Sequence, residues 1–238
     1  DAMYKRRYGE FVSFLSNGKM NVPSRSVVIL DKHGPYTQST LELLGVRFYL
    51  HKFSDGRFAW AYPFWEYPQY QSIFKDETYE LFENKKAYPR TFLASSYKIV
   101  RDKLELLQMM FSDTIDGRDT ILLEDKPIIE PEIGTGEATI ISYDPEEVVI
   151  KTKSDGAKLL FLSDTYDTGW KATVDGKSTP IQRADYTFRA VAVPSGEHTV
   201  IFRYQPKSFR WGIIVGFVSL LTIALGSLFV KKYENRLL

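Results

Sequence analysis

Ser95-Ser96-Tyr97-Lys98 has the S-x-x-K form of a serine nucleophile with a lysine beside it. That chemistry needs the serine at a helix start and companion S-D-N and K-T-G motifs. Here the run reads as extended, and the companions are missing. Asp164 and Asp167 flank Tyr166 in SDTYDTGW. Two carboxylates so placed could hold a metal or move protons, or could simply form a polar loop between strands. Asp113, Asp116, Gly117 and Asp119 have the residue types of a calcium loop without its spacing. Gly134-Thr135-Gly136 lacks the third glycine and the helix that cradle a phosphate. His33, His51 and His198 are far apart, and none stands in a metal-ligand pair. The sequence thus offers no catalytic residue, no metal site and no cofactor.

The aromatic residues are a second candidate set. Trp60, Tyr62, Trp65, Tyr67 and Tyr70 crowd into one short proline-rich stretch. Aromatic faces stack on sugar rings, so Trp60 and Trp65 could form a glycan platform. They could equally pack the loop from within. Trp170 follows Gly169 at a strand start and has the same two readings, glycan contact or sandwich core.

Composition narrows the classes. The chain has 238 residues, with 31 basic and 30 acidic side chains, for a formal charge of +1. That balance argues against a nucleic-acid binder, whose affinity rests on clustered positive charge. No cysteine is present, which excludes a disulfide scaffold, a cysteine zinc site and a thiol nucleophile within this chain. The length suits one or two domains with cores of their own.

One run departs from this average. Residues 211–230 read WGIIVGFVSLLTIALGSLFV, with no charge, Asn, Gln or Pro. A helix of that length spans about 30 Å, the thickness of a bilayer's hydrocarbon core. Trp211 opens it, and Lys231, Lys232 and Tyr233 follow it, as suits the headgroup zones. Basic residues near its two ends balance, so charge does not set its orientation. Gly212, Gly216, Ser219 and Gly226 fall on one face, which predicts packing against other transmembrane helices or dimerisation. Without the three basic residues and one acidic residue after position 210, 28 basic and 29 acidic side chains remain. Because the chain opens on Asp1, an upstream targeting signal or a longer parent product is expected.

The elements ahead of this span predict an α+β protein. Residues 137–204 hold seven short apolar or alternating runs: 138–143, 147–152, 157–163, 169–174, 177–182, 187–193 and 198–204. Turn signals such as Asp175-Gly176 and Ser195-Gly196 separate them. The pattern predicts an immunoglobulin-like β-sandwich. The first 130 residues read as mixed. Helices are expected over 4–15 and 102–111, the second with Asp102 as N-cap, and a short helix capped by Gly45 should precede a strand at 46–50. Residues 27–30 look β-like. The expected organisation is a mixed region over 1–130, a sandwich over 131–206, a transmembrane helix over 207–232 and a short basic tail over 233–238.

LSDTYDTGWKATVDGK at 162–177 and RADYTFRAVAVPSGEHTVIFRYQPKSF at 183–209, followed by a terminal span, resemble the C-terminal end of the bacterial YfhO membrane-protein family. ELLGVRFYL at 42–50 and LFENKKAYPRTFL at 81–93 are similar to that family's extracytoplasmic region. Family members resemble polytopic GT-C-type glycosyltransferases. The resemblance implies transfer of sugars from a polyprenyl-phosphate donor to a cell-wall polymer such as lipoteichoic acid. It also implies a bacterial cell membrane location, with residues 1–206 extracytoplasmic. Its catalytic carboxylate would sit near the first transmembrane helices, which this chain does not contain. No catalytic residue is therefore carried over, and this chain would shape the acceptor side. Within the family pattern stand Asn84, Pro89 and Arg90, and then Gly169, Trp170, Asp175, Gly176, Arg183, Tyr186, Arg189, Gly196, Glu197, His198, Tyr204 and Pro206. Arg183 and Arg189 could meet a phosphate or an acidic glycan, or could form internal salt bridges. The alternatives are a non-enzymatic surface module on a single anchor, binding glycan or protein, and a purely structural accessory domain.

Overall fold

The computed structural model describes residues 5–20, 34–53, 68–112 and 115–237, with side chains for all of these except 16, 17 and 227–237. Trp60, Trp65, His33 and the β-like run at 27–30 lie outside the described residues.

The protein is α+β, and strands carry most of it. One sheet has five strands: β7 (Gly136–Tyr143), β8 (Glu147–Ser154), β10 (Trp170–Val174), β11 (Lys177–Thr179) and β14 (Gly196–Tyr204), ordered β11-β10-β14-β8-β7. A second has six: β4 (Thr91–Ala94), β5 (Ser96–Ile99), β6 (Thr120–Leu123), β9 (Lys158–Leu162), β12 (Gln182–Ala184) and β13 (Phe188–Val193), ordered β4-β9-β13-β12-β6-β5. Leu160, Leu162, Val191 and Val193 of the six-stranded sheet meet Val148, Ile150, Val200 and Phe202 of the five-stranded sheet in one buried cluster. That cluster is the interior of the sandwich.

The six-stranded sheet is covered on its other face as well. Helices α1 (Arg6–Asn17) and α3 (Lys103–Met110) bring Phe11, Phe14, Leu15, Leu106 and Leu107 against Phe161, Phe188 and Ala190. Burial on both faces explains why β9 and β13 read as unbroken runs, KLLFL and FRAVAV, instead of alternating. Asp102 caps α3 as expected, accepting from the backbone N–H of Leu104 at 3.0 Å and of Glu105 at 2.9 Å. A short helix α2 (Thr37–Leu43) ends at Gly45, whose φ of 68° turns the chain into β1 (Phe48–Lys52). Strand β1 joins β2 (Tyr70–Lys75) and β3 (Tyr79–Asn84) in a small antiparallel sheet ordered β1-β3-β2.

Two details differ from the sequence expectation. The run at 177–182 divides at Pro180: β11 stays in the five-stranded sheet and β12 crosses to the six-stranded one. Strands β4, β5 and β6, all before residue 130, belong to the same sheet as β9, β12 and β13. The sandwich therefore draws on both sides of the expected boundary at 130/131. Lys158, a buried cation within β9, ties the intervening segment down. Its Nζ donates to the carbonyls of Glu132 and Gly134, both at 2.7 Å, and to Ser95 Oγ at 2.9 Å. Ser95 thus meets Lys158, not Lys98, and that ammonium has no donor left over.

Two residues separate the end of β14 from helix α4 (Lys207–Leu237). Lys207–Gly226 is long and apolar enough to cross a membrane, and the rest of the protein does not bury it. Among the described residues, none of α4 belongs to either hydrophobic cluster.

Candidate functional site

The register of three strands sets a row across one end of the six-stranded sheet. Thr91 of β4 pairs with Leu162 of β9, and Leu162 pairs with Arg189 of β13. Just beyond that row lie Arg90 and Asp164, with Ser163 donating its N–H to the Arg90 carbonyl at 3.0 Å. Residues 188, 190 and 192 of β13 face the helices, so 189, 191 and 193 face the sandwich interior. Arg189 therefore enters an apolar interior at a position that its neighbours fill with valine.

Asp164 meets that charge. Arg189 Nη2 donates to Asp164 Oδ2 at 2.6 Å, and the two side chains are 2% and 8% exposed. Arg90, 53% exposed, donates to Asp164 Oδ1 through Nε at 3.1 Å and Nη2 at 2.7 Å. Tyr143, the last residue of β7, lies with its hydroxyl 3.0 Å from both carboxylate oxygens. The Arg90 guanidinium also donates to that hydroxyl and sits 4.3 Å from the Tyr143 ring centre. Nε and Nη1 of Arg189 are buried with no hydrogen-bond partner among the described residues. Aromatic faces take their place: the Arg189 guanidinium lies 4.0 Å from the Trp170 ring centre and 5.3 Å from that of Phe202. Burial pushes the Arg189 pKa down, yet a guanidinium stays charged across physiological pH. Burial, and then the neighbouring Asp164 charge, push the Tyr143 hydroxyl up.

Both Asp164 oxygens are taken by cationic or hydroxyl donors, so the carboxylate is poorly placed to accept a proton from a substrate. Two guanidinium groups against one carboxylate leave one positive charge in excess, and the more exposed guanidinium, Arg90, presents it outward. This arrangement suits an anion better than acid–base chemistry.

Its place in the fold is specific. Trp170 opens β10 opposite Tyr204, the last residue of β14, with ring centres 5.3 Å apart. Gly169 permits the approach, since a Cβ there would come within 2.6 Å of the Tyr204 ring. Gln205 donates its N–H to the Gly169 carbonyl at 2.7 Å, and α4 begins at Lys207. The cluster therefore caps the end of the sandwich from which the chain enters its apolar helix.

Of the residues singled out by sequence, Trp170 and Arg189 come together here. Arg183 is in register with Arg189 but turns away, to Glu124 Oε2 at 3.3 Å and over the Tyr166 ring at 4.6 Å. Separate carboxylates thus relieve two like charges on adjacent strands. Asp164 and Asp167 do different work: Asp167 accepts from the Gly169 N–H at 2.6 Å and pairs with Lys5. Arg90 and Tyr143 were not among the predicted site residues. Nothing short of the β4–β9 pairing brings residue 90 to residue 164.

Comparison with known proteins places this end of the chain. The family described as bacterial membrane protein YfhO matches residues 133–216, which run from just ahead of β7 into α4. An uncharacterized protein YfhO of Bacillus subtilis (strain 168) is 25% identical over 87 residues, or 37% of this chain. The match spans 10% of that relative's length. The stretches at 42–50 and 81–93 lie outside the family match. No solved structure matches the chain.

Proposed function

We propose, from the premise that residues 133–216 are a segment of the bacterial YfhO membrane-protein family, that the chain is the extracytoplasmic C-terminal portion of a polytopic membrane glycosyltransferase. The parent enzyme would move a sugar from a polyprenyl-phosphate donor to a cell-wall polymer such as lipoteichoic acid. This chain shapes the acceptor side of the site and does not carry the catalysis. Its apolar helix associates with the membrane, and the face formed by Gly212, Gly216, Ser219 and Gly226 packs against other transmembrane helices of the bundle. Polyprenyl chains are apolar and hold the donor in the lipid, so its phosphate lies at headgroup depth.

One observation carries this reading. The Arg90–Asp164–Arg189 cluster holds one excess positive charge at the end of the sandwich nearest α4. An anionic headgroup or an acidic polymer arriving along the membrane would meet Arg90 first. The test uses the full chain in lipid nanodiscs with undecaprenyl phosphate as probe. Undecaprenyl phosphate should bind, and Arg90→Ala should weaken it several-fold while leaving the fold intact. Equal binding by both proteins would remove the cluster from the reading. Incubation with a polyprenyl-phosphate sugar and a teichoic acid acceptor should give no turnover by this chain alone. Turnover abolished by Asp164→Ala would make the chain an enzyme in its own right.

A further inference from the structure

A second polar feature lies apart from this cluster, between α2, the end of α3 and β6. A cavity of 320 Å³ there is lined by Ser39, Glu42, Tyr88, Phe111, Thr120 and Asp185, among others. Its volume falls in the range of small-ligand sites. Asp185 is only 4% exposed. One carboxyl oxygen, Oδ1, accepts the Leu122 N–H at 2.8 Å. No described residue donates a hydrogen bond to the other, Oδ2. The backbone at Asp185 and Tyr186 is held at φ of 41° and 69°, a left-handed pair without glycine. Such strain persists only where surrounding contacts fix it. Here the Tyr186 ring is buried, and its hydroxyl donates to Glu10 at 2.5 Å.

The charges around the cavity are unevenly compensated. Glu42, from α2, has Lys86 and Arg118 nearby, although burial outweighs them and holds its carboxyl above the usual range. Tyr88 has Arg118 stacked at 4.6 Å, with Asp116 close by. Asp185 has only the Leu122 amide, and burial pushes its carboxyl up to about 7. Two carboxyl groups in one cavity repel an anion. A neutral polyol would satisfy hydrogen bonds and leave the missing counter-charge unsupplied. A cation supplies both.

We propose that this cavity binds a small ammonium-bearing ligand, its nitrogen donating to Asp185 Oδ2 and its polar remainder meeting Glu42 and the hydroxyls of Ser39, Thr120 and Tyr88. The inference is independent of the glycosyltransferase reading, since neither the donor nor the Arg90 cluster enters it.

The experiment uses the full chain in nanodiscs of neutral phospholipid, with ethanolamine as probe and ethylene glycol as its uncharged counterpart, each titrated by calorimetry. Ethanolamine should bind at pH 8, where Asp185 is ionised, with a roughly millimolar dissociation constant. At pH 5 binding should fall about tenfold or more. Asp185→Asn should lose a similar factor at pH 8. This variant keeps an Oδ1 for the Leu122 N–H, and asparagine tolerates the left-handed backbone. Ethylene glycol should show no such pH dependence. Equal binding of ethylene glycol, absence of ethanolamine binding at pH 8, or unchanged affinity in a folded Asp185→Asn variant would each overturn the proposal.

Discussion

Arg189 and Asp164 form an ion pair at 2.6 Å inside the β-sandwich, where every other inward position of β13 is valine. A pair this deep is not by itself a source of stability, because both charges lose their water. Breaking it is another matter. Asp164→Asn would leave the Arg189 guanidinium buried with only the Trp170 and Phe202 faces to offset its charge.

We therefore expect Asp164→Asn to destabilise the domain by about 3–5 kcal/mol, read as a lower midpoint in urea. Arg189→Met placed on top of it should restore part of the loss, since the orphaned charge is then gone. Arg90→Ala should cost less, roughly 0–1 kcal/mol, because that guanidinium is half in solvent. If Asp164→Asn and Arg90→Ala prove equally mild, the pair does not organise this end of the sandwich.

Gly176 offers a cleaner case of backbone chemistry. Asp175 and Gly176 connect β10 to β11 at φ of 49° and 78°. Both central positions are thus left-handed, as the Asp-Gly signal predicts. A Cβ at Gly176 would meet nothing within 4 Å, so the cost of replacing it lies in the backbone alone. Gly176→Val should lower stability by about 1–2 kcal/mol, and Gly176→Asn by less. An unchanged melting temperature for the valine variant would remove the turn from the list of constraints.

The sandwich was legible because its turns are chemical: Asp144-Pro145, Asp175-Gly176 and Ser195-Gly196 separate the runs that became β7, β8, β10, β11, β13 and β14. The α4 span was legible from the lack of any charge over 211–230. The site was half legible. Arg189 and Trp170 stand in recognisable local sequence, but their partners come from distant strands. Arg90 is 74 residues from Asp164, and no local pattern encodes the β4–β9 pairing. The placing of β4, β5 and β6 in the sandwich sheet was hidden for the same reason, since the segment at 130–134 looks like a linker while Lys158 ties it to the sheet.

At the far end of β14, about 20 Å from Tyr204 along the strand, His198 and Asp175 make a titratable pair. His198 Nδ1 lies 2.6 Å from Asp175 Oδ2, and Nε2 lies 3.0 Å from the Ser195 carbonyl. The Asp175 hydrogen bond holds the histidine above its ordinary value, and the histidine in turn holds the aspartate below its own. The histidine's contribution is complete below about pH 6.5 and fades as pH rises through its folded value. The aspartate's contribution is complete above about pH 4 and fades as pH falls through its folded value. The pair therefore supports the fold most between those limits. The melting-temperature gap between the native chain and His198→Gln should be wider at pH 6 than at pH 8.5. A gap independent of pH would mean that the imidazolium is not the stabilising form.

Truncation tests whether the part of the chain ahead of α4 is self-contained. Among the described residues both hydrophobic clusters are built without α4, and its apolar segment Lys207–Gly226 is unburied. A chain ending at Pro206 should stay monomeric without detergent and keep its β-rich circular dichroism, while the full chain should need detergent or lipid. Aggregation of the truncated chain would show that α4, or what surrounds it, completes the fold.

The buried Asp185 carboxyl makes a prediction with the opposite sign to that of most carboxylates. Its folded pKa of about 7 stands above the ordinary aspartate value of 3.8. Between those values the folded protein binds a proton that the unfolded chain has lost. Stability should therefore fall as pH rises from about 4 to 7, by roughly 4 kcal/mol if the whole shift is expressed. Asp185→Asn removes this titration and keeps an acceptor for the Leu122 N–H. The variant should be close to the native chain in stability near pH 4 and clearly more stable at pH 8. Urea unfolding of both proteins across this range reads the difference directly. If the two curves run parallel, the carboxyl is ionised in the folded protein throughout, and its environment is better compensated than the geometry around Oδ2 indicates.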